Sequence, residues 1–108
     1  MRGGTREARL KFFVGIARFR LDFAACSSLK DKRRYMKSIL DRLGNSRLVG
    51  AAEVGNGDFW KSGVIGLVCL SSSRTLVLKA IDGARRMIEA SGIEVIDSET
   101  WVLKPEDL

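Results

Sequence analysis

Residues 12–23, FFVGIARFRLDF, alternate with period two. Phe13, Gly15, Ala17, Phe19, Leu21 and Phe23 fall on one side. Phe12, Val14, Ile16, Arg18, Arg20 and Asp22 fall on the other. Successive side chains of an extended chain point to opposite faces, so the pattern predicts a strand resting one face on a core. Such a strand needs sheet partners and a covering layer, which the rest of the chain must supply.

The next segment, SSLKDKRRYMKSILDRLGN (27–45), predicts an amphipathic helix. Ser28 and Asp31 have the spacing of a capping box, in which the two side chains satisfy free backbone donors reciprocally. Leu29, Met36, Ile39, Leu40 and Leu43 share one arc, and Gly44 or Asn45 ends the helix. RLVGAAEV (47–54) predicts a second strand, and GNGDFWKSG (55–63) has the composition of a loop. VIGLVCLS (64–71) is continuously apolar, which predicts a central strand buried on both faces. Ser71 to Ser73 offer an N-cap for a second helix over 74–91. Leu76, Ala80, Ala84 and Met87 share one face of that helix, with Val77, Ile81 and Ile88 beside it. Gly92 follows as a helix stop. IEVIDSETWVL (93–103) predicts a last strand, with Trp101 in the core and Pro105 ending it.

The order βαββαβ predicts an α+β ferredoxin-like plait, a four-stranded antiparallel sheet with both helices on one face. The expected organisation is a single domain over 12–108 preceded by a flexible tail of residues 1–11. The other sheet face would hold aliphatic side chains, more apolar area than a monomer usually exposes, which predicts a homodimer.

Charge is unevenly distributed. The 108 residues carry a net +6, but residues 1–50 hold 13 Lys/Arg against 4 Asp/Glu, and residues 51–108 hold 6 against 9. The concentration falls at the start of the first helix, where Lys30, Lys32, Arg33, Arg34 and Lys37 face a single Asp31. A helix N-terminus carries partial positive charge and disfavours cations. Lys30, Arg33, Arg34 and Lys37 lie within about 100° of arc, forming one basic face. Lys32 falls near the apolar arc, so it must snorkel at the helix end or point toward the loop after the first strand. Phosphate contacts would explain cations at this position, since each releases condensed counterions. The third strand lacks the aromatics on which an RNA-recognition motif stacks bases, so the expected mode is by shape and phosphate.

Other chemistry is poorly supported. The chain has two cysteines, Cys26 and Cys69, and no histidine. There is no CxxC, so neither a metal site nor a cofactor is expected. Cys69 reads as a buried small hydrophobe and Cys26 as exposed. The uncharged run after Lys11 is too short for a signal sequence, and no stretch approaches a membrane span. A cytoplasmic protein is therefore expected. In AEVGNGDFW (52–60), Glu53, Asp58 and Trp60 are candidates for a loop or interaction element. No nucleophile or base accompanies Glu53 and Asp58, so a structural role is expected rather than catalysis. Glu53 would pair with Arg18 or Lys61, and Trp60 would cap the core or an interface.

SLKDKRR after a first strand, then AEVG-x-x-D-x-W, VIGLV and a final E-x-W together resemble the YlxP-like family of small uncharacterised bacterial proteins. The resemblance covers residues 13–103. It implies a ferredoxin-like fold and no established activity. Its members are often encoded near translation initiation factor two and ribosome-binding factor A, which implies work with RNA or the ribosome. The expected function is non-enzymatic binding of structured RNA, ribosomal RNA included, through the basic helix face. The alternative is a homodimeric protein-interaction module without nucleic-acid binding.

Overall fold

The computed structural model of the chain describes residues 10–57 and 59–108. Most of the predicted tail, residues 1–9, and Asp58 lie outside the described residues. The elements are β1 (Phe13–Asp22), α1 (Leu29–Gly44), β2 (Val49–Gly55), β3 (Ser62–Ser71), α2 (Arg74–Ala90) and β4 (Glu94–Leu103). A short 3₁₀ turn, Pro105–Asp107, follows. The strands form one sheet in the order β2-β3-β1-β4, and every neighbouring pair is antiparallel. Each helix carries the chain across one intervening strand, which is the predicted ferredoxin-like plait.

The alternation in β1 decides which face is covered. Ala17, Phe19 and Leu21 are buried, as are Ile65 and Leu67 opposite them on β3. Two glycines show that both helices lie on this side. A Cβ on Gly15 would collide with Val77 and Ile81 of α2, whereas one on Gly63 would sit 2.9 Å from Met36 of α1. Gly15 pairs with Cys69, and Gly63 with Leu21, so both glycines share the buried face. The helices contribute Met36, Ile39 and Leu43 from α1 and Val77, Ile81, Ala84 and Ile88 from α2.

The helix ends follow their local chemistry. Ser28 Oγ accepts from the Asp31 amide at 3.1 Å, and the Asp31 carboxylate accepts from the Ser27 amide at 3.2 Å. The box thus closes one residue earlier than its simplest form. Ser73 Oγ accepts from the Leu76 amide at 3.2 Å, capping α2. Gly92 has φ +88 and its amide donates to Glu89, the geometry of a helix stop that favours glycine.

Four expectations are corrected. β3 is buried on one face only: Val68 is 46% and Leu70 61% exposed. A continuous apolar run does not distinguish a strand covered twice from one covered once. Trp101 is 45% exposed on the same open face instead of in the core. Leu76 is exposed, because the buried stripe of α2 runs through its neighbour Val77. Cys26 is buried, not exposed. Burial, followed by the nearby Asp31 carboxylate, pushes the Cys26 thiol up, and burial does the same to Cys69.

Glycine substitutions should separate packing from backbone entropy. Gly15→Ala forces a methyl against α2 and should destabilise by about 1–3 kcal/mol. Gly83, within α2, has nothing within 4 Å of its added Cβ. Gly83→Ala should therefore stabilise by about 0.5–1 kcal/mol. Thermal melts of the two variants should move in opposite directions.

Candidate nucleic-acid interface

The segment between β1 and α1 is short and held at both ends. The Phe23 amide donates to Lys61 O at 2.8 Å, and the Cys26 amide to Phe23 O at 2.8 Å. Asp22 accepts from the Ala24 amide at 2.8 Å. These bonds fix the turn that leads into the first two turns of α1. There Ser27, Ser28 and Asp31 join Lys30, Arg33, Arg34 and Lys37 around a hollow of about 610 Å³. Four of the five predicted cations are thus brought together on one surface.

They are not equivalent. Arg34 is ion-paired with Asp31, one turn earlier. Lys37 pairs with Asp41 at 2.9 Å, and this hydrogen bond raises the Lys37 pKa above its ordinary value. Lys30 and Arg33 are exposed and have no ion-pair partner among the described residues. Their charge also opposes the helix dipole, so folding gains nothing visible from it.

Lys32 departs from the predicted interface. It is 1% exposed, on the inner side of α1. Its ammonium donates to Asn56 O and Phe59 O, each at 2.6 Å, and lies 3.5 Å from Glu53 Oε2. It also stands 5.9 Å from the centroid of the Phe23 ring. The two motifs SLKDKRR and AEVGNGDFW, apart in sequence, meet at this one amine. Its position near the apolar arc was the signal that it turned inward. The loop carbonyls that receive it had no sequence signature.

Glu53 pairs with Lys32 instead of the expected Arg18 or Lys61. Glu53 is in register with Ile65, a buried position, so it points toward the helices. Arg18 points the other way, where it meets Glu99 at 2.9 Å and Asp97 at 3.0 Å. The hydrogen bond to Glu99 raises the Arg18 pKa. Trp60 is half-buried and packs against the core, with the Lys61 amine 5.4 Å from its ring centroid. Asn56 has φ 60, in the left-handed region that asparagine tolerates. Asn56 Nδ2 donates to Ser62 Oγ at 3.2 Å, bridging the β2–β3 loop. Among the described residues, no group of acidic, histidine or cysteine side chains could hold a metal. No helix is long and apolar enough to cross a membrane.

The inward and outward cations should respond differently to removal of charge. Lys32→Met leaves the Glu53 carboxylate and two carbonyls without their partner, and should destabilise by about 3–5 kcal/mol. Lys30→Met, on the open surface, should stay within about 0.5 kcal/mol of the parent protein. Urea unfolding of both variants checks the contrast.

Comparison with known proteins places the chain. It is 31% identical over 77 residues to the uncharacterized protein YlxP of Bacillus subtilis, spanning 71% of this chain and 84% of that protein. The designed protein Foldit4 is similar in structure with a TM-score of 0.48 and 16% identity, over 86% of this chain and 97% of that one. A C-terminal segment of the alpha subunit of aIF2 from Pyrococcus abyssi has a TM-score of 0.46 and 12% identity, over 95% of this chain and 56% of that one. Residues 14–100 match the model of DUF503, described as a protein of unknown function. With most of its length matched, the chain belongs to the DUF503 family, in agreement with the YlxP-like character of its motifs.

Proposed function

We propose that this is a non-enzymatic cytoplasmic protein that binds structured RNA, ribosomal RNA being the leading candidate, through Lys30, Arg33, Arg34 and Lys37. The observation that carries the reading is the pair of exposed cations Lys30 and Arg33, without an ion-pair partner among the described residues, bordering the same hollow as Arg34 and Lys37. Phosphates placed there would meet four cations and the positive end of α1 together. The open faces of the central strands hold Val14, Ile16, Val68 and Leu70, with no aromatic for base stacking. Recognition by charge and shape, without base sequence, is the mode that fits. The tie between Glu53 and Lys32 supports a non-enzymatic role, because it engages a carboxylate that acid–base chemistry would need free.

A second reading is a homodimeric interaction module. The exposed Val68, Leu70 and Trp101 on the open sheet face favour self-association. It is compatible with RNA binding, since the basic helix lies on the opposite side of the sheet.

The test replaces Lys30 and Arg33 with Glu in one variant. Filter binding to ribosomal RNA should weaken for all sequences alike, and the log–log salt slope should flatten by about two units. Polyglutamate serves as the competitor of equal sign without RNA geometry. The melting temperature should hold or rise, because anions at a helix N-terminus are favourable by about 0.3–1 kcal/mol each. Unchanged affinity with a lower melting temperature would assign the cations to internal stabilisation and end the RNA reading.

A further inference from the structure

The open face of the sheet has a shape as well as a composition. One row across it runs Trp101, Ile16, Val68, Gly50, from β4 through β1 and β3 to β2. The next runs Glu99, Arg18, Gly66, Ala52 in the same order. In the first row side-chain size falls steadily from the β4 edge to the β2 edge; in the second the two long charged side chains stand on β4 and β1 and the two small residues on β3 and β2. Trp101 stands high, while Ile16, Gly50, Ala52, Gly66 and Val68 border a shallow groove of about 460 Å³ whose end over Gly66 is closed by the exposed Val54 side chain. The face is therefore a wedge with a ridge along one margin and a trough along the other.

We infer that this face is the contact surface for a second copy of the chain, with Trp101 of each copy seated in the Gly50–Ala52–Gly66 trough of the other. The inference rests on the self-association reading and names its geometry. A two-fold axis parallel to the strands lays the β4 edge of one copy over the β2 edge of its mate, ridge into trough. A two-fold axis across the strands would stack ridge on ridge and leave the troughs empty. An isologous contact requires one patch to complement itself, and this wedge does so in one orientation only. It also leads to aligned sheet packing, the usual arrangement of two stacked sheets.

Area and charge agree with a second copy as the occupant. Three strands of ten residues and one of seven span roughly 30 Å by 20 Å, on the order of 600 Å² before side-chain relief is counted. A standard interface needs about 800 Å² per partner, which that relief would supply. The face does not share the chain's positive excess. Arg18 and Arg20 are paired with Asp97 and Glu99 at 2.9 to 3.5 Å, forming a neutral cluster beside the apolar part. A nucleic acid gains nothing from such a surface, and two copies meet there without net repulsion. In the resulting dimer both α1 helices face outward on opposite sides, so one particle presents two basic faces.

Sedimentation velocity across a micromolar dilution series tests the inference with the parent protein, Trp101→Lys and Ala52→Trp. The parent should be dimeric. Both substitutions lie on exposed positions and should keep the parent's circular dichroism while weakening the dimer by roughly 30-fold or more, as loss of a central aromatic anchor does. Hydroxyl-radical footprinting of the unmodified protein gives a second readout: Trp101 should be protected at high concentration and oxidised on dilution. A parent dimer that survives both substitutions, with Trp101 oxidised at every concentration, would overturn this interface and leave self-association through another surface. A monomeric parent with exposed Trp101 would overturn the interface and the self-association reading together. RNA affinity of the monomeric variant, measured separately, reports on the basic helix alone.

Discussion

The ammonium of Lys32 holds the two halves of this fold in register. It comes from the first turn of α1 and ends on the Asn56 and Phe59 carbonyls of the β2–β3 loop, with the Glu53 carboxylate alongside. A buried cation without such partners would be strongly unfavourable, so burial and ligation are one constraint. Once the amine is in place, the start of α1 cannot slide along the sheet, and the Asn56–Phe59 turn cannot open. The first turn of α1 then points its remaining cations outward. The helix is basic at its start because one lysine must reach inward while its neighbours line a hollow.

The core responds to a second constraint, the close approach of helices to strands at Gly15 and Gly63. A side chain at Gly15 would strike Val77 and Ile81, and one at Gly63 would crowd Met36, Lys32 and Phe23. These glycines let both helices lie close enough to bury the alternating face of β1. Their cost is backbone entropy in the unfolded chain, offset by packing. All apolar cover is thereby spent on one side of the sheet. The other side keeps Ile16, Val68, Leu70 and Trp101 at the surface, and the same economy that closes the core leaves a face available for association.

Much of this was legible in the chain. The period-two run of 12–23, the capped helices, and the order βαββαβ lead directly to the plait, because each rests on local periodicity and short-range chemistry. The basic face of Lys30, Arg33, Arg34 and Lys37 was legible for the same reason, being a matter of helical spacing. The errors share an origin too. β3 and Trp101 were assigned to the core because apolar character records what a residue tolerates and not how many layers cover it. The pairing of Glu53 with Arg18 or Lys61 fails because strand alternation shows that neighbours differ in face without saying which face the helices occupy.

By itself the sequence determined which elements form and in what order, their ends to within two residues, and that one helix start carries an excess of positive charge. Those properties follow from backbone sterics, side-chain period and the unsatisfied donors of helix ends, all of which act within a few residues. Tertiary structure alone decided that Lys32 is a tie while Lys30 and Arg33 meet no ion-pair partner among the described residues. It also decided that Glu53 and Arg18 look to opposite sides of the sheet, and that no described element covers the second, apolar face. Those outcomes depend on contacts between residues distant in the chain. An amine's role is set by the groups it meets, and only the folded topology brings the Asn56 and Phe59 carbonyls within its reach.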